Sequence, residues 1–449
     1  MDALGERPGS LLLLALLTGV VTGIFVVFYA LLTRALSWLL FWGDPLTTIP
    51  SLPLWYLYLV PILSIYLVNR MILHDDSVRE YGVQEIAEAV EGKGLSFGWR
   101  DLLQKIFASS LSLASGFAVG NEGPSAAIGA MIAQRFHRLL RLPRHLLRVA
   151  LSVGASSGIA AIFVSPVTGI MFAVENLAHP FIRNYAGTLI AGSLLAFAVA
   201  SSVLEPLLFG YSTGKALDYH YLIATGLFIP TITLFVYLYL GLKDRILFLL
   251  EGWFERRVRR GRILILSIVS GALIATILRI DPLAGFSGHE VVRIFINGSF
   301  HWPVWMIFTV ILLRILATTL SLYANAVGGL FIALMSIGAL IGYGFGEVSN
   351  LLFPWQVESF YFAAIGSAVF MGVLMRLPLT ALVLALETTY DYNVIVPTGL
   401  SVVLVTYLAT RHFRLRKLHF RERGSEGKGM PNGSSPLPPS SPSSRPSGN

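Results

Sequence analysis

Long apolar runs separated by short polar, Gly-rich or Pro-rich breaks fill most of the chain. They fall at about 10–33, 52–73, 104–118, 149–174, 186–208, 220–241, 263–279, 304–323, 360–375 and 395–410. A helix needs about 20 apolar residues to cross a bilayer, and several of these runs are shorter. The pattern predicts an all-α integral membrane protein with tilted and broken helices. Broken backbone within a membrane is tolerated only where it is buried in protein or lines a polar cavity. The run at 10–33 is too long for the apolar core of a signal peptide and lacks a basic leader and a small-residue cleavage site. It reads as the first membrane helix.

The pattern also repeats. Pro166-Val-Thr-Gly-Ile-Met-Phe-Ala-Val-Glu175 returns 212 positions later as Pro378-Leu-Thr-Ala-Leu-Val-Leu-Ala-Leu-Glu387, and Gly154-Ala-Ser returns as Gly366-Ser-Ala at the same offset. Gly120-Asn-Glu-Gly-Pro-Ser-Ala-Ala-Ile-Gly129 aligns with Gly329-Leu-Phe-Ile-Ala-Leu-Met-Ser-Ile-Gly338 at an offset of 209. Two related halves in an apolar chain mark a transporter fold with its site at the repeat interface. The predicted organisation is an N-terminal segment at 1–9, half one at 10–208, half two at 215–412, and a Pro/Ser-rich tail at 424–449. The tail cannot bury a core and is expected to be disordered. No soluble regulatory domain is expected after the membrane region.

Composition agrees with this reading. Hydrophobic residues make up 55% of the chain and charged residues 13%, about half the charged share of a soluble protein. The absence of cysteine removes disulfides, thiolate metal sites and Cys nucleophiles together, and no cofactor or metal is expected. The net charge of +8 is clustered, which points to membrane topology rather than nucleic-acid binding. Arg135, Arg138, Arg141, Arg144 and Arg148 follow the first Gly-rich motif, whereas residues 344–360 hold Glu347 and Glu358 but neither Lys nor Arg. Basic loops favour the cytoplasm, so equivalent loops fall on opposite sides and the repeat is inverted. A chance imbalance in one loop is the plainer alternative. The cluster Arg256, Arg257, Arg259, Arg260 and Arg262, and the C-terminal stretch from Arg411 to Arg423, are expected in the cytoplasm. The chain would then be multi-pass, in the plasma (inner) membrane if it is bacterial.

Gly120-Asn-Glu-Gly-Pro-Ser is a turn that opens a helix, with Pro124 suited to the first helical turn. Unpaired amides at a helix N-terminus make a ready anion site. The half-two echo, Gly328-Gly-Leu-Phe, also opens an apolar helix with glycines. Inverted halves would bring two such ends to one point and hold a desolvated anion loosely enough to release it. Glu122 lies on the first turn. Its carboxylate is either the occupant of that anion site, released by protonation, or an ordinary partner of the helix dipole.

These residues resemble the CLC chloride channels and chloride/proton antiporters. The hallmark stretches GSGIP, GREGP and GxFxP match, in order, Glu80-Tyr-Gly-Val-Gln-Glu-Ile, Gly120-Asn-Glu-Gly-Pro and Gly329-Leu-Phe-Ile-Ala. The proline-led segments ending at Glu175 and Glu387 match too, as does Lys105, seventeen residues before Glu122. The resemblance implies a CLC-type inverted repeat and a homodimer with one anion pathway per subunit. Glu122 matches the external gating glutamate. The amides of Leu330, Phe331 and Ile332, with those around Glu122 and Gly123, match the anion-lining backbone, and Tyr81 and Gly82 fall on the motif at the inner anion site. Tyr81 stands where a serine is usual, and Asn121 replaces an arginine near the outer entrance. Asn176 stands where proton-coupled members carry an internal glutamate. The tyrosine expected near Leu418 is missing, with Tyr392 and Tyr407 out of register.

The expected function is therefore passage of chloride, or a similar anion, through a pore gated by Glu122 without tight proton coupling. The alternatives are chloride/proton antiport and transport of another anion such as nitrate or bicarbonate. Ser156 has no His–Asp partner pattern and argues weakly for an enzyme. His179 reads as a helix-end histidine rather than a proton relay. Glu175 and Glu387 suggest a shared structural role at helix ends, and the pairs Trp38–Trp42 and Trp302–Trp305 suggest interfacial anchors.

Overall fold

Proline-led breaks divide the apolar runs into full and partial helices. In the computed structural model the described residues are 8–75, 78, 86–87, 98–178, 182–206, 219–255, 262–296 and 302–412, all within one compact unit. Half one contains α1 (Pro8–Leu40), α2 (Leu54–His74), α3 (Trp99–Ala114), α4 (Glu122–Leu139), α5 (Leu147–Phe163), α6 (Pro166–Ala173) and α7 (Ile182–Ala200). Half two contains α8 (Tyr219–Glu255), α9 (Arg262–Ile280), α10 (His289–Ile296), α11 (Val304–Tyr323), α12 (Phe331–Leu352), α13 (Ser359–Met375), α14 (Pro378–Thr389) and α15 (Ile395–His412). Among the described residues, eight helices are long and apolar enough to cross a membrane. Others, such as α6 and α14, stop part-way. Tyr81, Gly82, His179 and the tail at 424–449 lie outside the described residues.

The apolar run at 149–174 is two helices rather than one. Helix α5 ends on Val164 in the left-handed conformation (φ 51°), Ser165 is extended, and Pro166 starts α6. A residue before proline disfavours the helical region and proline suits the first turn of a new helix, although Pro61 and Pro230 lie inside α2 and α8. Half two repeats the device. Arg376 is left-handed (φ 60°), Leu377 leaves the helical region, and Pro378 starts α14. A left-handed Val or Arg is costly, so packing on both sides of the break must hold it.

The reciprocal caps supply part of that hold. Glu175, just past α6, accepts from Leu379 N (2.8 Å), Thr380 N (2.8 Å) and Thr380 Oγ1 (2.6 Å) at the start of α14. Glu387, near the end of α14, accepts from Val167 N (3.0 Å), Thr168 N (2.7 Å) and Thr168 Oγ1 (2.6 Å), and from Ser165 Oγ. Each carboxylate satisfies the orphan amides of the other half's helix, where the dipole favours negative charge. This gives the repeated Glu its helix-end role.

Helix α4 packs on α5, and α12 on α13, with glycines at the closest approach. A Cβ on Gly129 would overlap the Gly154 carbonyl, and one on Gly338 the Gly366 carbonyl. Trp38, Trp42 and Trp305 are exposed, but Trp302 is only 8% exposed. It packs inward beside Leu283, Val291 and Val310, which removes it from the expected pair of interfacial anchors. The Ser156 hydroxyl donates to Gly169 O at 3.2 Å and contacts Ser193, so it joins helices.

Glu387→Ala should lower stability by about 3 kcal/mol, because it leaves several amide and hydroxyl donors without their charged acceptor. Glu387→Gln, which keeps an oxygen, should lose less. Apparent melting temperatures of the purified protein in detergent check the order, and equal values for all three proteins would contradict the capping role.

Candidate anion site

Two extended segments meet in front of α4 and α12. Gly120 N donates to Gly329 O at 2.6 Å and Gly329 N to Gly120 O at 2.7 Å. Behind them, Ser321 Oγ accepts from Ala118 N (2.8 Å) and Ser112 Oγ from Val327 N (3.0 Å). All these pairs obey the 209-residue offset, so the clasp is two-fold symmetric. It brings the N-termini of α4 and α12 together, and with them the amides that no helix can satisfy.

Glu122 fills the junction. The residue is 2% exposed, and its Oε1 accepts from Phe331 N at 2.5 Å. The amides of Ile332 and of Glu122 itself also lie against the carboxylate, while Oε2 is buried without a hydrogen-bond partner. A Cβ on either Gly120 or Gly329 would overlap the carboxylate. These glycines are therefore required by the close approach of the side chain. Of the expected anion-lining residues, the structure brings Gly123, Leu330, Phe331 and Ile332 to this junction, all buried. Asn121 precedes α4, its carbonyl accepts from Ser125 N, and its own Oδ1 is buried without a partner.

Phe331 holds in half two the position that Glu122 holds in half one. Its ring packs on Phe163 and Phe172 at centroid distances of 4.8 and 6.4 Å. The backbone of the site is symmetric, and its side chains are not. Asn176 lies half-buried in the π-helical turn Val174–Ala178, next to the capping Glu175.

The clasp serines and one further cation escape a reading of the glycine motifs alone. The signal that finds them is a longer repeat at the 209 offset. Lys105-Ile-Phe-Ala-Ser-Ser-Leu-Ser-Leu113 matches Arg314-Ile-Leu-Ala-Thr-Thr-Leu-Ser-Leu322, and Lys105 and Arg314 are 1% and 0% exposed. Tyr29 of α1, fully buried and within reach of the Glu122 charge, has no such signal.

The sequence model described as "Voltage gated chloride channel" matches residues 60–410. This chain belongs to that family. Among the family's curated members, the H(+)/Cl(-) exchange transporter ClcA of Cronobacter sakazakii is 28% identical over 437 residues, covering 90% of this chain and 87% of the relative. The Vibrio cholerae protein of the same name is 28% identical over 425 residues with the same coverage. The fold matches the crystal structure of a slow cyanobacterial Cl-/H+ antiporter with a TM-score of 0.79 at 22% identity, covering 90% of this chain and 95% of that one. It matches a CLC-type fluoride/proton antiporter at 0.71 and 18% identity, covering 91% and 98%. The chain is thus a multi-pass membrane protein with the CLC-type inverted repeat.

Gly329→Ala places a methyl group in the space of the Glu122 carboxylate. The side chain should leave Phe331 N, which a cryo-EM map of the variant would show directly. A map with the Glu122–Phe331 bond intact would contradict this packing.

Proposed function

We propose that this chain exchanges chloride for protons across the membrane, with Glu122 as the gate of the anion pathway. The observation that carries the reading is the carboxylate itself, which accepts the Phe331 amide at 2.5 Å between two helix N-termini. A carboxylate so placed stands in for a transported anion. When charged, it fills the helix-end site and excludes chloride. Protonation removes the charge that the amides favour, the side chain leaves, and a chloride takes its place. When the proton is lost the carboxylate returns and displaces the anion, so one group links the two ions.

Gated conduction without tight proton coupling stands first when the residues are read alone. The relatives named H(+)/Cl(-) exchange transporters, which align over most of their length, support exchange over it. Asn176 cannot titrate, so the proton reaches Glu122 by a route that does not use this position. That same residue is the specific observation behind the second reading, gated chloride conduction without tight coupling. Tyr81 and Gly82 are proposed to line the inner end of the pathway on the motif resemblance. The resemblance also supports a homodimer with one pathway per subunit, and the basic C-terminal stretch supports a cytoplasmic C-terminus.

Glu122→Gln mimics the protonated side chain. In reconstituted liposomes it should raise chloride flux and flatten the dependence of flux on pH, whereas unchanged flux and pH response would remove Glu122 as the gate.

A chloride gradient imposed on wild-type vesicles should drive protons uphill in the opposite direction. Robust chloride flux with no proton movement would favour conduction instead. Replacing chloride by nitrate or bicarbonate in the same vesicles ranks the anions.

A further inference from the structure

Arg314 is the half-two counterpart of Lys105, and it is fully buried within α11. Its Nη1 donates to the carbonyls of Leu283 (2.6 Å) and Gly285 (3.0 Å). Nε and Nη2 have no hydrogen-bond partner among the described residues. Those two nitrogens form one edge of the guanidinium, suited to gripping an anion with two parallel N–H groups. Arginine stays charged in proteins, and a buried charge with idle donors is costly. The charge of Asp281 reaches Arg314. However, its Oδ1 accepts from Leu283 N at 2.9 Å, and among the described residues it forms no ion pair with Arg314.

Only a glycine fits beside the idle edge. Gly288 has a φ of +96°, a conformation that favours glycine, and a Cβ there would fall 2.5 Å from Arg314 Nη2 and 2.6 Å from Ser336 Oγ. The guanidinium and the hydroxyl therefore border the same narrow space. Ser336 donates to Ala333 O at 2.7 Å, and its hydroxyl is free to rotate toward a stronger acceptor.

We infer that the Nε–Nη2 edge of Arg314, with the Ser336 hydroxyl beside it, binds one small monovalent anion at a buried site separate from the Glu122 junction. Two idle donors on a buried cation that forms no ion pair among the described residues call for one small anionic acceptor. The site draws on α11, the loop at 283–288 and Ser336 rather than on the Gly120–Gly329 clasp. The two are linked through the backbone, since Phe286 N donates to Gly116 O at 3.2 Å in the segment that leads to Glu122. An anion on Arg314 would complete the anchoring of this loop to α11.

The test uses bromide, which scatters anomalously where water does not. Full-length wild-type protein is crystallised with sodium bromide in place of chloride, and data are collected at the bromine edge. The expected result is an anomalous peak within hydrogen-bond reach of Arg314 Nε and Nη2, in addition to any near Phe331. In Arg314→Gln this peak should be lost while any peak near Phe331 remains. A wild-type crystal with bromide only along the Glu122 pathway, or with a non-anomalous water at Arg314, overturns the inference. If Arg314→Gln does not fold, the wild-type map alone decides. The result is independent of whether transport is coupled to protons.

Discussion

A carboxylate buried in a membrane protein is stable only where something replaces its lost water. At Glu122 that replacement is the pair of helix N-termini, and Phe331 N is the donor in closest contact. The amides can be there only because Gly120 and Gly329 pair across the two halves and carry no side chains. Ser112 and Ser321 hold the two approaching segments from behind. The helix starts, the paired Gly120 and Gly329 segments and the buried hydroxyls all serve this one arrangement, in which backbone amides face the carboxylate.

A second layer of pairing keeps the halves in register. Glu175 and Glu387 cap each other's half, and each caps a short helix that starts with proline and therefore has no preceding turn. Their offset of 212 differs from the 209 of the clasp, so half two carries three more residues between the clasp and the caps. The extra length falls within the second pair, between Gly338 and Gly366, where α12 has 22 residues against 18 in α4, leaving both sets of contacts intact.

Symmetry ends at the side chains, and there function begins. Glu122 and Phe331 share one backbone position. In half one it bears an acid whose carboxylate meets the helix-end amides, and in half two a ring packed on Phe163 and Phe172. The buried cations differ too, an ammonium at Lys105 and a guanidinium at Arg314. Only the guanidinium presents a planar, two-donor edge. Asn176 places an amide directly after the capping Glu175, so the cap is kept while a titratable neighbour is not.

Much of this was legible in the chain. Apolar runs announced a membrane protein, and two repeated segments announced its halves. Pro166 and Pro378 marked new helix starts, because a ring without an amide proton suits the first turn, where no hydrogen bond is lost. Glycines marked the helix starts for a similarly local reason. What could not be read locally was which donor meets which acceptor across some two hundred residues. Nothing in Ser112 or Ser321 says that it will hold the other half's backbone, and nothing in Trp302 says that it will turn inward. Those outcomes depend on the packing of helices distant in sequence. The sequence by itself determined that the chain is a membrane protein of two related halves, and where the proline-led and glycine-led helices start. Only the tertiary structure decided that Glu122 would occupy the junction and that Arg314 would be buried with one edge idle, because both depend on distances between elements that the chain specifies only when folded.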